Sequence, residues 1–250
     1  MKTLSVLALA ARQRVYKLLA LILLLALAQG ALFWRYVGGF GSASGLESAV
    51  RESRMPLALL AVFLLLFFLF CREGSERGGS HPGYTLARLG TGEFGAMLCA
   101  AAANAACFLV LWAAAAGVGL GLCALGARAM PADARNAQTV FLAFYRSSYL
   151  HSLLPMADWT RALRVVVLCL ACGLGAASFS FWRRRRAAPV LAAFCAVGAP
   201  VCFSGEMALP VLDVCIVLVG LFACGCSIFQ MYHAYPPCDS KDPELNWDAL

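Results

Sequence analysis

Of 250 residues, 62% are hydrophobic and 13% are charged, whereas a soluble globular domain has about 45–50% apolar and about 25% charged residues. That balance excludes an ordinary soluble domain and points to an integral membrane protein. The formal net charge is +7, but the charges gather at the ends of apolar runs, which reads as a topology signal rather than a nucleic-acid-binding surface.

A membrane-spanning helix needs about 20 mostly apolar residues. In chain order the candidates are Leu18 to Val37, Met55 to Cys71, Phe94 to Leu125, Val165 to Trp182, Ala187 to Phe203 and Ala208 to Met231. The first resembles a secretion signal, because Lys17 precedes it and "ALAQGA" (Ala26 to Ala31) has the small residues of a cleavage site. A long charged leader and the aromatics Phe33, Trp34 and Tyr36 beyond that site favour a retained span with an interfacial belt. The loop "GSASG" (Gly41 to Gly45) follows it. A serine nucleophile there needs a histidine base within reach, and none of His81, His151 and His233 falls clearly inside a span.

Between the second and third runs lies "GYTLARLGTGEFGAML" (Gly83 to Leu98), polar and capable of forming a helix. Leu86, Leu89 and Phe94 are within helical reach of one another, with Arg88 and Glu93 off that face. The segment reads as a short helix on the membrane surface that turns into the third span near Glu93. Within the third run are Asn104 and a set of small residues, Ala113, Ala114, Gly117, Gly119 and Gly121, suited to close helix packing.

The connection from about Ala127 to Leu163 places Val140, Phe141, Phe144, Tyr145, Tyr149, Leu150, Leu153 and Leu154 at three- and four-residue spacing. This predicts an amphipathic helix on the outer membrane surface or over a cavity. The four arginines Arg183, Arg184, Arg185 and Arg186 then join the fourth and fifth runs in a tight hairpin and lock that end in the cytoplasm. With the N-terminus inside, twelve Lys and Arg fall on the cytoplasmic side and eight, including Arg161 and Arg164, on the outer side.

The expected fold is therefore all-α, a polytopic membrane protein with six transmembrane helices. An amphipathic outer-loop helix lies between spans three and four. Residues 1–232 form the transmembrane domain, and 233–250 form a flexible acidic cytoplasmic tail. Both termini are cytoplasmic, and the membrane is the inner, cytoplasmic membrane of a cell. Most of the twelve cysteines lie in apolar runs, where Cys acts as a small packing residue, and Cys169 and Cys172 form a lone CxxC. There is no HExxH, no GxxxxGK[ST] phosphate loop and no acidic pair at a span end to hold magnesium. The expectation is no enzyme, no metal and no cofactor in this chain. Asp213 in the sixth run, Glu206 at its lip and Asn104 are the polar groups left in lipid. Such residues are candidates for a translocation path; Asp213 could line one or pair with an arginine, and could equally lie near enough the interface to snorkel.

The stretch "YTLARLGTGEF" (Tyr84 to Phe94) is similar to the coupling segment that membrane subunits of type-2 ABC exporters place between their second and third spans. The loop "QTVFLAFYRSSYLHSLLP" also looks like a stretch of uncharacterised bacterial permease-like proteins. The resemblance implies a permease whose ATPase is a separate chain docking on Thr85, Leu86, Arg88, Leu89 and Glu93. It also implies a homodimer or a sister permease, and a lipid bilayer but no nucleic acid as surroundings. Gly90 stands where many of those permeases carry Pro, and the long outer loop follows the third span rather than the fifth. The alternative is a non-transporting accessory or assembly subunit of a membrane complex.

Overall fold

A computed structural model describes residues 2–37, 46–72, 93–130, 138–154, 158–184, 195 and 210–233. Among them every regular element is a helix. In chain order these are α1 (Lys2–Val37), α2 (Leu46–Glu52), α3 (Met55–Arg72), α4 (Glu93–Ala129), α5 (Thr139–Arg146), α6 (Ser148–Leu153), α7 (Trp159–Arg184) and α8 (Pro210–His233). Five are long and apolar enough to cross a bilayer: Arg14–Tyr36, Met55–Arg72, Phe94–Ala129, Trp159–Phe179 and Val211–His233. This is the make-up of a multi-pass membrane protein.

The helices outrun the apolar stretches that mark them. α1 begins at Lys2, well before Leu18, because Arg12, Gln13, Arg14 and Lys17 are good helix formers although they are polar. α7 begins at Trp159 rather than Val165 and takes Arg161 and Arg164 into the helix. The predicted amphipathic helix is not one element. It breaks at Ser147, whose backbone is extended and whose hydroxyl accepts a bond from the N–H of Leu150 as the cap of α6. The stretch after the first span contains α2, which buries Leu46, Ala49 and Val50.

Contacts between helices give their directions. The guanidinium of Arg14, which opens the apolar stretch of α1, lies 5.7 Å from the ring of Phe70, near the end of α3, so these two are antiparallel. Gly126, near the end of α4, abuts Phe33, near the end of α1; a Cβ at Gly126 would lie 2.7 Å from that ring, so α1 and α4 are parallel. Phe94, at the start of α4, meets Tyr232, at the end of α8, with ring centroids 5.8 Å apart, so α4 and α8 are antiparallel. Arg164 meets Asp213, and Val167 lies against Gly220, so α7 and α8 are parallel. We call the end where α1 and α4 begin the near face and its opposite the far face. α7 ends at the near face and α8 begins at the far face.

The packing is centred on α7, in which every residue from Ala171 to Ser178 is buried. Some 72% of the apolar stretch of α7 is buried, against 22% for α1 and for α8, which therefore form the rim. α4 and α7 approach most closely at Gly173, where an added Cβ would lie 2.6 Å from the backbone N of Ala105 and 2.8 Å from the carbonyl oxygen of Ala101. Small residues at such crossings let backbones approach without a side chain between them. Phe63, Phe67 and Phe70 of α3 surround Phe108 of α4, with centroids 4.6, 6.5 and 5.8 Å from it. Of the small residues in the third run, Gly119 packs under Leu150, whereas Gly117 and Gly121 have no described neighbour within 4 Å of an added Cβ.

Candidate functional site

Of the buried charged residues described, Arg164 and Asp213 meet at the far-face start of α7 and α8, whereas Arg14 lies on α1 against Phe70. Pro210 occupies the first position of α8, where its missing N–H costs no helical bond. Asp213 follows within the first turn, where the helix dipole favours a carboxylate. Its side chain is 1% exposed and pairs with the guanidinium of Arg164, 3% exposed, through Nη1 and Oδ1. Oδ2 of Asp213 makes no hydrogen bond among the described residues. It lies 3.8 Å from Nε of Arg161, one turn before Arg164. Arg161 is shared, because its Nε is also 3.4 Å from Asp158, which is half exposed. The backbone carbonyl of Asp158 accepts from the N–H groups of Arg161 and Ala162 and so opens α7.

Two arginines and two aspartates thus run from the surface into the interior with no net charge. An isolated Asp or Arg at mid-bilayer costs about 2.5–3.5 kcal/mol on insertion scales, and pairing within protein removes most of that cost. Arg suits this position because its guanidinium stays charged and presents several donors in one plane. The arrangement holds two parallel helices together. It places no nucleophile beside a base.

Asn104, 2% exposed, donates from Nδ2 to the carbonyl of Gly173 at 3.4 Å, at the close crossing of α4 and α7. A second buried polar contact joins α1 to α6: Gln29 donates from Nε2 to the hydroxyl of Tyr149 at 2.7 Å. Burial pushes the Tyr149 phenol well above its ordinary value, and the bond from Gln29 acts more weakly in the opposite direction.

Ten cysteines are described and all are free. Cys172 and Cys195 are both buried. Sγ of Cys195 also lies 3.2 Å from the carbonyl oxygen of Ala171. Among the described residues no group of three or more His, Cys, Asp or Glu is arranged to hold a metal ion.

Several predicted site residues lie outside the described residues: Thr85, Leu86, Arg88, Leu89, Glu206, Arg185 and Arg186. The fifth run, Ala187 to Phe203, does so too except for Cys195. Glu93, Arg183 and Arg184 are described as helical backbone only. Of the three polar groups proposed for a path, Asp213 and Asn104 are far apart in function: one neutralises an arginine, the other bonds a backbone carbonyl. The sequence marks Tyr149 only as part of an apolar stripe and Arg164 only as an outer-side charge, and it does not mark Gln29 as a partner for either. A usable signal existed for Arg164, since a lone acid at the start of one span and two arginines at the start of another fall on the same predicted side.

Compared with family models, curated proteins and solved structures, the chain matches none of them.

Proposed function

We propose that the chain is the membrane-spanning permease subunit of an ATP-driven, ABC-type export system whose ATPase is a separate protein. The observation that carries the reading is where the coupling-like segment is attached. Residues 84–94 fall in the stretch after α3 and run into the first residues of α4, and the end of α3 and the start of α4 both lie at the near face. A segment tied to two spans at one face can receive a push from a soluble partner and pass it to the bundle.

A six-span layout is supported by the helix directions. α7 ends at the near face and α8 begins at the far face, which a sixth crossing by residues 185–209 would account for. About 20 residues suffice for a helical crossing. Cys195, eleven residues beyond α7, lies against Ala171, thirteen residues back along it. On this reading the near face and both termini are cytoplasmic, the membrane is the inner membrane, and Arg183 to Arg186 hold the return hairpin inside. The working unit is a homodimer or a pair with a sister permease, and α5 and α6 stand on the outer side.

The closed Arg164–Asp213 pair favours a second reading, a non-transporting accessory or assembly subunit, because its charge is neutralised within the chain. Co-purification separates the two. The chain is tagged at its C-terminus, extracted gently from native membranes, and its companions are identified by mass spectrometry. A stoichiometric protein carrying a phosphate loop, with ATP turnover in the eluate, supports the permease. Companions that are only other membrane proteins support the accessory subunit.

A further inference from the structure

Helix α5 is apolar on both of its sides. Toward the bundle it buries Ala143 and half-buries Val140 and Phe144. On the opposite side Phe141 is 62% exposed and Tyr145 68% exposed, their rings stacked with centroids 6.4 Å apart, and Leu142 lies beside them, also exposed. A surface helix bathed in water carries polar residues on its outward side. The outward side of α5 instead has the composition that seats a helix among lipid headgroups: two aromatics and a leucine, with Arg146 in the last turn.

We infer that α5 is a membrane-interface helix whose Phe141–Tyr145 face is embedded in the lipid at the far face, while α6, joined to it at Ser147, is inserted into the bundle. The division is visible residue by residue. Tyr149, Leu150 and Leu153 of α6 are buried, Tyr149 is bonded to Gln29, and Leu150 fills the space over Gly119. α6 therefore fixes α5 to α1 and α4 from within. The occupant is lipid because other exposed aromatics sit at the helix ends of this face. Trp34, near the end of α1, is half exposed, and Trp159, at the start of α7, is 89% exposed. Both mark the depth where spans leave the bilayer. The exposed surface continues below them along Leu163 and Val166 of α7. Phe141 and Tyr145 extend this belt to a helix that is not itself a span. The inference rests only on the chain crossing a membrane, not on its being a permease.

The test uses the purified full chain in phosphatidylcholine vesicles whose acyl chains carry bromine at a shallow or a deep position. Trp34, Trp112, Trp159, Trp182 and Trp247 are replaced by Phe, and Tyr145→Trp is the probe. A second chain keeping only Trp159 reports insertion. The expected result is quenching of the Tyr145→Trp probe by bromolipid to an extent similar to Trp159, stronger for shallow than for deep bromine, with little quenching by aqueous iodide. Quenching by iodide alone, with Trp159 still quenched by bromolipid, overturns the inference and leaves the membrane reading standing. A probe shielded from both quenchers also overturns it, in favour of a protein contact. Should the Trp-free background not fold, benzoylphenylalanine at position 141 in the otherwise unaltered chain replaces it. Irradiation should add the mass of a lipid, and cross-linking to a second copy would overturn the inference.

Discussion

Removing one member of the Arg164–Asp213 pair should destabilise the bundle unequally. Asp213→Asn leaves the guanidinium of Arg164, 3% exposed, facing no carboxylate, since Asp158 is already engaged by Arg161. Stranding one charge of a buried pair costs about 3–5 kcal/mol. Arg164→Gln strands Asp213, but Arg161 remains 3.8 Å from it. At that distance, and at an effective dielectric of about 20, the attraction is about 4 kcal/mol. Arg161 is 20% exposed and shared with Asp158, so part of this is lost to solvent and competition. The expected cost of Arg164→Gln is therefore smaller, about 1–3 kcal/mol. Replacing both partners together, Arg164→Met with Asp213→Leu, should return stability to within about 1 kcal/mol of the native chain or exceed it, because no charge is left buried. The assay is reversible unfolding in mixed micelles with increasing denaturing detergent, with each variant compared at a common midpoint. Equal losses for the two single variants would show that Arg161 does not back up Arg164. A double variant as unstable as Asp213→Asn would refute the pairing itself.

Gly173→Ala should lower stability by about 2 kcal/mol or more, as overpacking against fixed backbone does, because its Cβ would meet Ala105 and Ala101 at under 3 Å. Gly117→Ala, with no described neighbour within 4 Å, should be neutral or stabilise by up to about 1 kcal/mol. Thermal melting of the purified variants compares them. Tyr149→Phe leaves both polar atoms of buried Gln29 unpaired and should cost about 1–3 kcal/mol, recovered by adding Gln29→Leu. Because burial raises the Tyr149 pKa, the folded state holds that proton more tightly. Its contribution is full below the ordinary value of 10.0 and is lost as pH rises through the raised one. Alkaline titration should accordingly show one late tyrosine that is missing from Tyr149→Phe.

The spanning helices were legible because a bilayer makes one demand, a long apolar run, and hydropathy reads it directly. Met55 to Cys71 agrees with α3 to one residue, and Ala208 to Met231 agrees with α8 to two. What hydropathy cannot read is where a helix continues after its apolar run stops. Arg161 and Arg164 therefore counted as loop charges marking a side of the membrane, when they are helical and one of them is buried. The same blindness hid the charge pair, since Arg164 and Asp213 are 49 residues apart and only the parallel packing of α7 and α8 brings them together. Residues 139–154 misled in a different way. Their apolar spacing is real, but Ser147 prefers to cap a new helix, so one periodic stripe serves two opposite surfaces. Of the ten cysteines described, six are buried, as packing residues would be. Periodicity gave no sign that Cys195 would meet the backbone carbonyl of Ala171.

The parallel course of α7 and α8, closed by Arg164 and Asp213, is the feature on which the layout of the whole chain depends. The most direct test is to fuse alkaline phosphatase, active only outside the cytoplasm, after Arg186 in one chain and after Gly205 in another, and to measure activity in intact bacteria. The proposed six-span layout, with the near face cytoplasmic, predicts an inactive fusion at Arg186 and an active one at Gly205. Equal activity at the two positions would place both junctions on one side and contradict the parallel pair.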